Sequence, residues 1–215
     1  MLTAAGLVQP GEALARDRVA QLFDSVTAVI VDLKTGQETE MDPGTFDQRQ
    51  ATKDPTSSVK APSNNAGIVR LPNHALVYKV LKQDRVDEIV LPIEGKGLWS
   101  TLYGFLALDA DGTTIRGITF YQHGETPGLG GEVDNPKWKA LWLGRRAFDE
   151  EFKPKIEVIK GKAKSAAEDP HRVDGLSGAT ITSRGVSHLV RFWLSDNGFG
   201  PYLRNLREHG VLKGG

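Results

Sequence analysis

Apolar residues Ala15, Val19, Leu22 and Phe23 recur at helical spacing, which predicts a short amphipathic helix over 12–23. The β-branched run TAVIVDL (27–33) predicts a strand. The pattern then lapses. Residues 34–66 are polar, carry three prolines and show little periodicity, so they predict a long surface excursion or mobile insertion. From there the β pattern returns in ALVYKVL (75–81), VDEIVLPI (86–93), GLWSTLYGFLALD (97–109) and TTIRGITFYQ (113–122). The last two are joined by the turn sequence DADG (109–112), and short connections of this kind favour antiparallel pairing. Helical spacing follows in PKWKALWLGRRAF (136–148), with Pro136 at the first helical position and Asp134 or Asn135 as cap. KIEVIKG (155–161) predicts one more strand. Val186, Leu189, Val190 and Trp193 mark a helix in RGVSHLVRFWL (184–194), and a final short helix follows Pro201. The order predicts an α+β fold, a twisted and mostly antiparallel sheet flanked by helices. Trp99, Trp138, Trp142 and Trp193 are expected in its core.

At 215 residues the chain is one ordinary domain, or one domain with appended segments. Lys plus Arg and Asp plus Glu number 27 each, and a chain without surplus positive charge is a poor partner for nucleic acid. The absence of cysteine removes disulfides, thiolate metal sites and cysteine nucleophiles together. Five scattered histidines without an H-E-x-x-H pair predict no metal site. No stretch approaches the ~18 consecutive apolar residues of a membrane span.

Chemistry concentrates in two places. In DGLSGATITS (174–183), hydroxyls and glycines crowd the start of a predicted helix. Thr182 or Ser183 suits an N-cap, and that alone accounts for one hydroxyl. Helix-start N–H groups and the helix dipole also favour an anion, which makes the stretch a phosphate-site candidate. GLSGA (175–179) nearly matches a nucleophile elbow, with Ser177 attacking and His188 or His209 assisting. Ala179 stands where the last glycine belongs, however, and His188 falls inside the predicted helix. The second place is HGETPGLGGEV (123–133), where Glu125 ends a strand and Thr126, Leu129 and Gly130 follow in a turn-rich loop. It forms either a plain loop or a cofactor border. It is no dinucleotide fingerprint, because Val133 occupies the third glycine position.

GETPGLGGEV followed by DGLSGATITSRGV resembles the FMN-binding domain found in the C subunits of Na+-translocating NADH:quinone reductases, and the similarity runs through most of 75–207. That resemblance implies FMN joined by a phosphoester to Thr180, attached by a flavin transferase that reads Asp174, Ser177, Gly178, Ala179 and Thr180. Thr182 and Ser183 would offer N–H groups to the phosphate, while Glu125, Thr126, Leu129 and Gly130 would form the opposite wall. It also implies an electron-relay protein on the periplasmic side of the bacterial inner membrane. Na+ translocation would belong to the whole complex, and its other subunits would be the partners. On this view residues 1–25 follow a membrane anchor outside this chain, 26–207 form the FMN-binding domain and 208–215 a tail. The alternatives are the homologous flavin-carrying G subunit of the RNF electron-transport complex, or a flavin-free assembly module. The intact Asp174-to-Thr180 pattern speaks against the second.

Overall fold

Along the chain the elements run β1 (Val26–Asp32), β2 (Glu38–Thr39), α1 (Gln48–Lys53), β3 (Ser58–Lys60), β4 (Arg70–Pro72), β5 (His74–Lys82), β6 (Arg85–Lys96), β7 (Thr101–Asp109) and β8 (Ile115–Gln122). A 3-10 turn (Gly130–Asp134) follows, then α2 (Pro136–Ala140), β9 (Glu157–Val158), β10 (Arg172–Val173), α3 (Thr180–Leu194) and α4 (Gly200–Glu208). The structure, a computed structural model, describes residues 1–8 and 24–208; the helix predicted over 12–23, and 209–215 with His209, lie outside the described residues.

Six strands form one sheet in the order β2-β1-β5-β6-β7-β8, with every neighbouring pair antiparallel, as the short connections predict. Strand alternation splits the side chains between two cores. From β7, Leu102, Leu106 and Leu108 enter the larger one, while Phe105 and Ala107 face the other side. On the first face α3 lies against β6 and β9. Its Val186, Leu189, Val190 and Trp193 are all buried, and Trp193 Nε1 donates to the Glu94 carbonyl at 2.8 Å. Burying side chains of this size contributes about 1.5–3 kcal/mol each. On the second face Ala4 and Ala5 pack against Val80, Val90 and Ala107. Among the described residues no helix is long and apolar enough to cross a membrane.

Several expectations change. Residues 34–66 are not a structureless excursion. They contain β2, α1 and β3, and Arg49 of α1 stacks on Tyr103 at 3.8 Å while donating to Gln122 and Tyr121 at 3.0 Å each. Asn135 caps α2, but the helix ends at Ala140 rather than Phe148. Residues 144–147 instead hydrogen-bond to Thr113 and Ile115 beside β8, and the buried Arg145 guanidinium donates to the carbonyls of Leu141, Lys164 and Asp169. Tertiary pairing thus overrides the helical period. The strand predicted over 155–161 shrinks to two residues paired in parallel with β10. Residues 97–100 form a turn ahead of β7, and this leaves Trp99 66% exposed rather than in the core.

Candidate functional site

The stretch 174–183 folds as a tight turn running into α3. Ala179 N donates to the Leu176 carbonyl at 3.1 Å, and Gly178 takes φ 69°, a left-handed conformation that suits glycine. The N-cap is Ala179, without a side-chain cap bond, and the first helical bond runs from Ser183 N to Ala179 O at 3.0 Å. Neither Thr182 nor Ser183 is therefore the cap. Their hydroxyls instead fasten the helix to its neighbours. Thr182 Oγ1 donates to Glu125 Oε2 at 2.6 Å, and Ser183 Oγ accepts from Leu176 N at 3.0 Å. One turn on, Ser187 Oγ accepts from Val158 N at 2.8 Å and donates to Ser183 O at 3.1 Å. Because the Ser183 N–H closes the helix, the N–H groups left without an intrahelical acceptor are those of Thr180, Ile181 and Thr182. Thr180 is exposed at the first helical position, with exposed Ser177 and Gly178 just before it.

Glu125 sits three residues beyond the end of β8 at Gln122 rather than at the strand end, and it lies inside this arrangement, only 5% exposed. Oε1 accepts from Trp99 N at 2.9 Å and Ser100 N at 3.2 Å, and Oε2 from Leu98 N at 3.1 Å as well as from Thr182. Burial pushes its pKa up, but the hydrogen bonds from Thr182, Trp99, Leu98 and Ser100 together outweigh it and hold the carboxyl below its ordinary range. Gly130 allows the close packing: a Cβ there would sit 2.6 Å from Thr182 Oγ1 and 2.8 Å from Glu125 Oε2. The loop is fixed further by His123, whose Nδ1 accepts from Glu125 N at 3.2 Å and whose Nε2 lies 2.7 Å from Asp134 Oδ2.

Two surfaces meet at Thr180. On one side stand exposed apolar side chains: Leu98 and Trp99 on the turn that Glu125 holds, Leu129 of the 126–130 loop, and Ile181. Leu129 Cδ2 lies 2.9 Å from where a Gly178 Cβ would be, so the two predicted walls touch. On the other side is a cleft of about 660 Å³ lined by residues of 157–162, by Asp174 to Gly178 and by the outer face of α3 from Thr180 to Arg191. Asp174 shapes its rim: Oδ1 accepts from Ala163 N and its carbonyl from Trp138 Nε1, both at 2.9 Å. Ser177 and His188 both line this cleft but share no hydrogen bond, so the elbow geometry of a hydrolase is not formed among the described residues.

The structure brings Thr180, Ser177, Gly178, Ala179, Leu129, Gly130 and Glu125 to one end of the fold. It places Glu125 and Thr182 beneath the surface as supports, and Thr126 exposed at the loop start, its carbonyl accepting from Leu129 N and Gly131 N. Leu98, Trp99, Ile181 and the cleft cations Lys160, Lys162 and Arg184 are not singled out as site residues by the sequence. The first two sit in a stretch that reads as strand, and single lysines and arginines on a surface carry no pattern. The set suits a flavin mononucleotide: an exposed hydroxyl, free helix-start N–H groups and cations for a phosphate, and apolar side chains for a ring. Among the described residues no group of three or more His, Cys, Asp or Glu converges as for a metal ion.

A family model described as FMN-binding domain matches residues 97–195. The C subunit of the Na+-translocating NADH-quinone reductase of Yersinia pestis is 47% identical over 219 residues, spanning 100% of this chain and 80% of that protein. Its counterpart in Pseudomonas aeruginosa is 48% identical over 213 residues, 97% of this chain and 81% of that one. The crystal structure of Shewanella oneidensis NqrC matches with a TM-score of 0.87 and 36% identity, covering 96% of this chain and 94% of that chain. The crystal structure of the Parabacteroides distasonis C subunit gives 0.69 and 26%, over 93% and 89%. These relatives decide between the two flavin complexes in favour of the quinone reductase. With identity of this order across the whole chain, and the same fold, the chain belongs to the NqrC family, the C subunits of the Na+-translocating NADH-quinone reductases.

Proposed function

We propose that this chain is an electron-relay subunit whose FMN is held by a phosphoester to Thr180 Oγ1. It would work on the periplasmic side of the inner membrane, anchored by a segment outside this chain, and be loaded by a flavin transferase that reads Asp174 to Thr180. FMN, when bound, supplies reversible electron uptake and release. The protein's part is to hold and orient it. Thr180 gives a permanent tether, the N–H groups at the start of α3 and the helix dipole stabilise the phosphate charge, and Leu98, Trp99, Leu129 and Ile181 cover apolar surface from water. Glu125 positions both walls from beneath the surface. The observation that carries this reading is that, of the hydroxyls in 180–187, Thr182, Ser183 and Ser187 are buried in hydrogen bonds within the protein while Thr180 is exposed. Thr180→Val, coproduced with the transferase, should lose the flavin fluorescence that the parent chain retains on a denaturing gel. A fluorescent band persisting in the variant refutes the assignment.

A further inference from the structure

Arg184 differs from the other described arginines. Each of those has a hydrogen bond, an ion pair or a ring contact. Arg184 has none among the described residues, and it stands one helical turn beyond Thr180 on the wall of the same cleft. Residues four apart on a helix are neighbours, with Cβ atoms about 5–6 Å apart. Helical side chains also lean toward the N-terminus, so Arg184 leans toward the turn that carries Thr180. From the segment after β9, Lys160 and Lys162 line the same cleft, again without an acidic partner among the described residues. The acids that line it are already engaged. Glu157 pairs with Arg172 and Arg191, and Asp174 accepts from Ala163 N. The cleft therefore holds three cations in no ion pair among the described residues, against one carboxylate, Asp174, whose bond from a neutral N–H leaves its charge in place.

We propose that Arg184, with Lys160 and Lys162 of the facing wall, is the counter-charge for the flavin phosphate. The inference rests on the Thr180 reading and adds to it a cationic phosphate subsite outside the S-G-A-T sequence. A guanidinium suits this task because its fork of donors matches two phosphate oxygens, whereas the lysines act as point charges.

The thermodynamic consequence is specific. Without flavin, Arg184→Gln removes no contact and relieves repulsion with the two lysines, so thermal stability should be unchanged or slightly higher. With flavin it removes a charge-assisted contact. The test is the melting temperature of the protein, with FMN loaded by the transferase and without it, for the parent chain, Arg184→Gln and Arg184→Lys, at low and high salt. The rise in melting temperature on loading should be smaller in Arg184→Gln by about 2–4 °C, with Arg184→Lys between the two. The difference should shrink at high salt. An equal rise in all three chains overturns the inference, as does an Arg184→Gln loss already present without flavin. An intact mass for the parent chain showing no FMN increment sinks the Thr180 reading itself. A loaded parent chain with no Arg184 effect sinks only the present proposal.

Discussion

Replacing Glu125 by glutamine changes one atom and should destabilise the domain considerably. The carboxylate accepts four hydrogen bonds: three from backbone N–H groups of 98–100 and one from Thr182. Glutamine keeps one acceptor oxygen but presents an NH₂ to donors on the other side. The Thr182 hydroxyl can turn and accept; the Leu98 N–H cannot. Losing charge assistance on the remaining bonds and opposing one N–H costs about 2–3 kcal/mol together. For a domain of this size that lowers the melting temperature by about 4–12 °C. The pH dependence gives a second readout. The folded pKa of Glu125 lies below its ordinary 4.5, so the unfolded chain binds the proton more readily, and the stabilisation is complete above that ordinary value. It is lost as pH falls through the folded pKa. Calorimetry of the flavin-free chain should therefore show a wide gap between parent and Glu125→Gln near pH 7, narrowing in acid. A variant melting within about 1 °C of the parent at neutral pH, or a gap that does not change with pH, refutes the view of Glu125 as an ionised anchor.

Other consequences follow from the same geometry. Gly130→Ala drives a methyl against Thr182 Oγ1 and Glu125 Oε2, both buried, and should cost about 1–3 kcal/mol in urea unfolding. Ser187→Ala leaves the Val158 N–H without its acceptor beside α3 and should cost about 1–3 kcal/mol, measured the same way. Glu88 behaves oppositely to Glu125. Burial pushes its pKa up to about 7 despite Arg116, and its Oε2 has no hydrogen-bond partner. Its folded form holds the proton longer than the unfolded chain, so that stability is present below pH 4.5 and drains away as pH rises to about 7. Glu88→Gln should therefore gain on the parent across that range, by on the order of 2 kcal/mol, in melts taken at successive pH values.

The central strands and α3 were legible in the sequence because alternation and helical spacing report burial directly. β5 to β8 and the buried stripe Val186, Leu189, Val190 and Trp193 appear where the pattern puts them. The pattern failed where long-range contacts decide. Trp142 keeps helical spacing with Trp138, yet the helix ends at Ala140 and residues 144–147 pair beside β8. Residues 34–66 lack periodicity because their short elements pack through single side chains such as Arg49 and Gln48, not through an apolar face. At the site, the hydroxyl crowding was visible but its use was not. Thr182 is turned inward by Glu125, 57 residues before it, and Ser183 by Leu176 N, which leaves Thr180 as the exposed hydroxyl of the three. The exposure of Trp99 likewise follows from the turn that Glu125 imposes, which no local pattern announces.

The proposal rests most on Thr180 Oγ1 as the attachment point of the flavin. Peptide mapping by tandem mass spectrometry, on the protein isolated from its native membrane and digested, reads that directly. The predicted result is the peptide containing 174–183 with one FMN, its fragments placing the added mass on Thr180. That peptide found unmodified, or the flavin located on Ser177, Thr182 or a residue elsewhere, contradicts it.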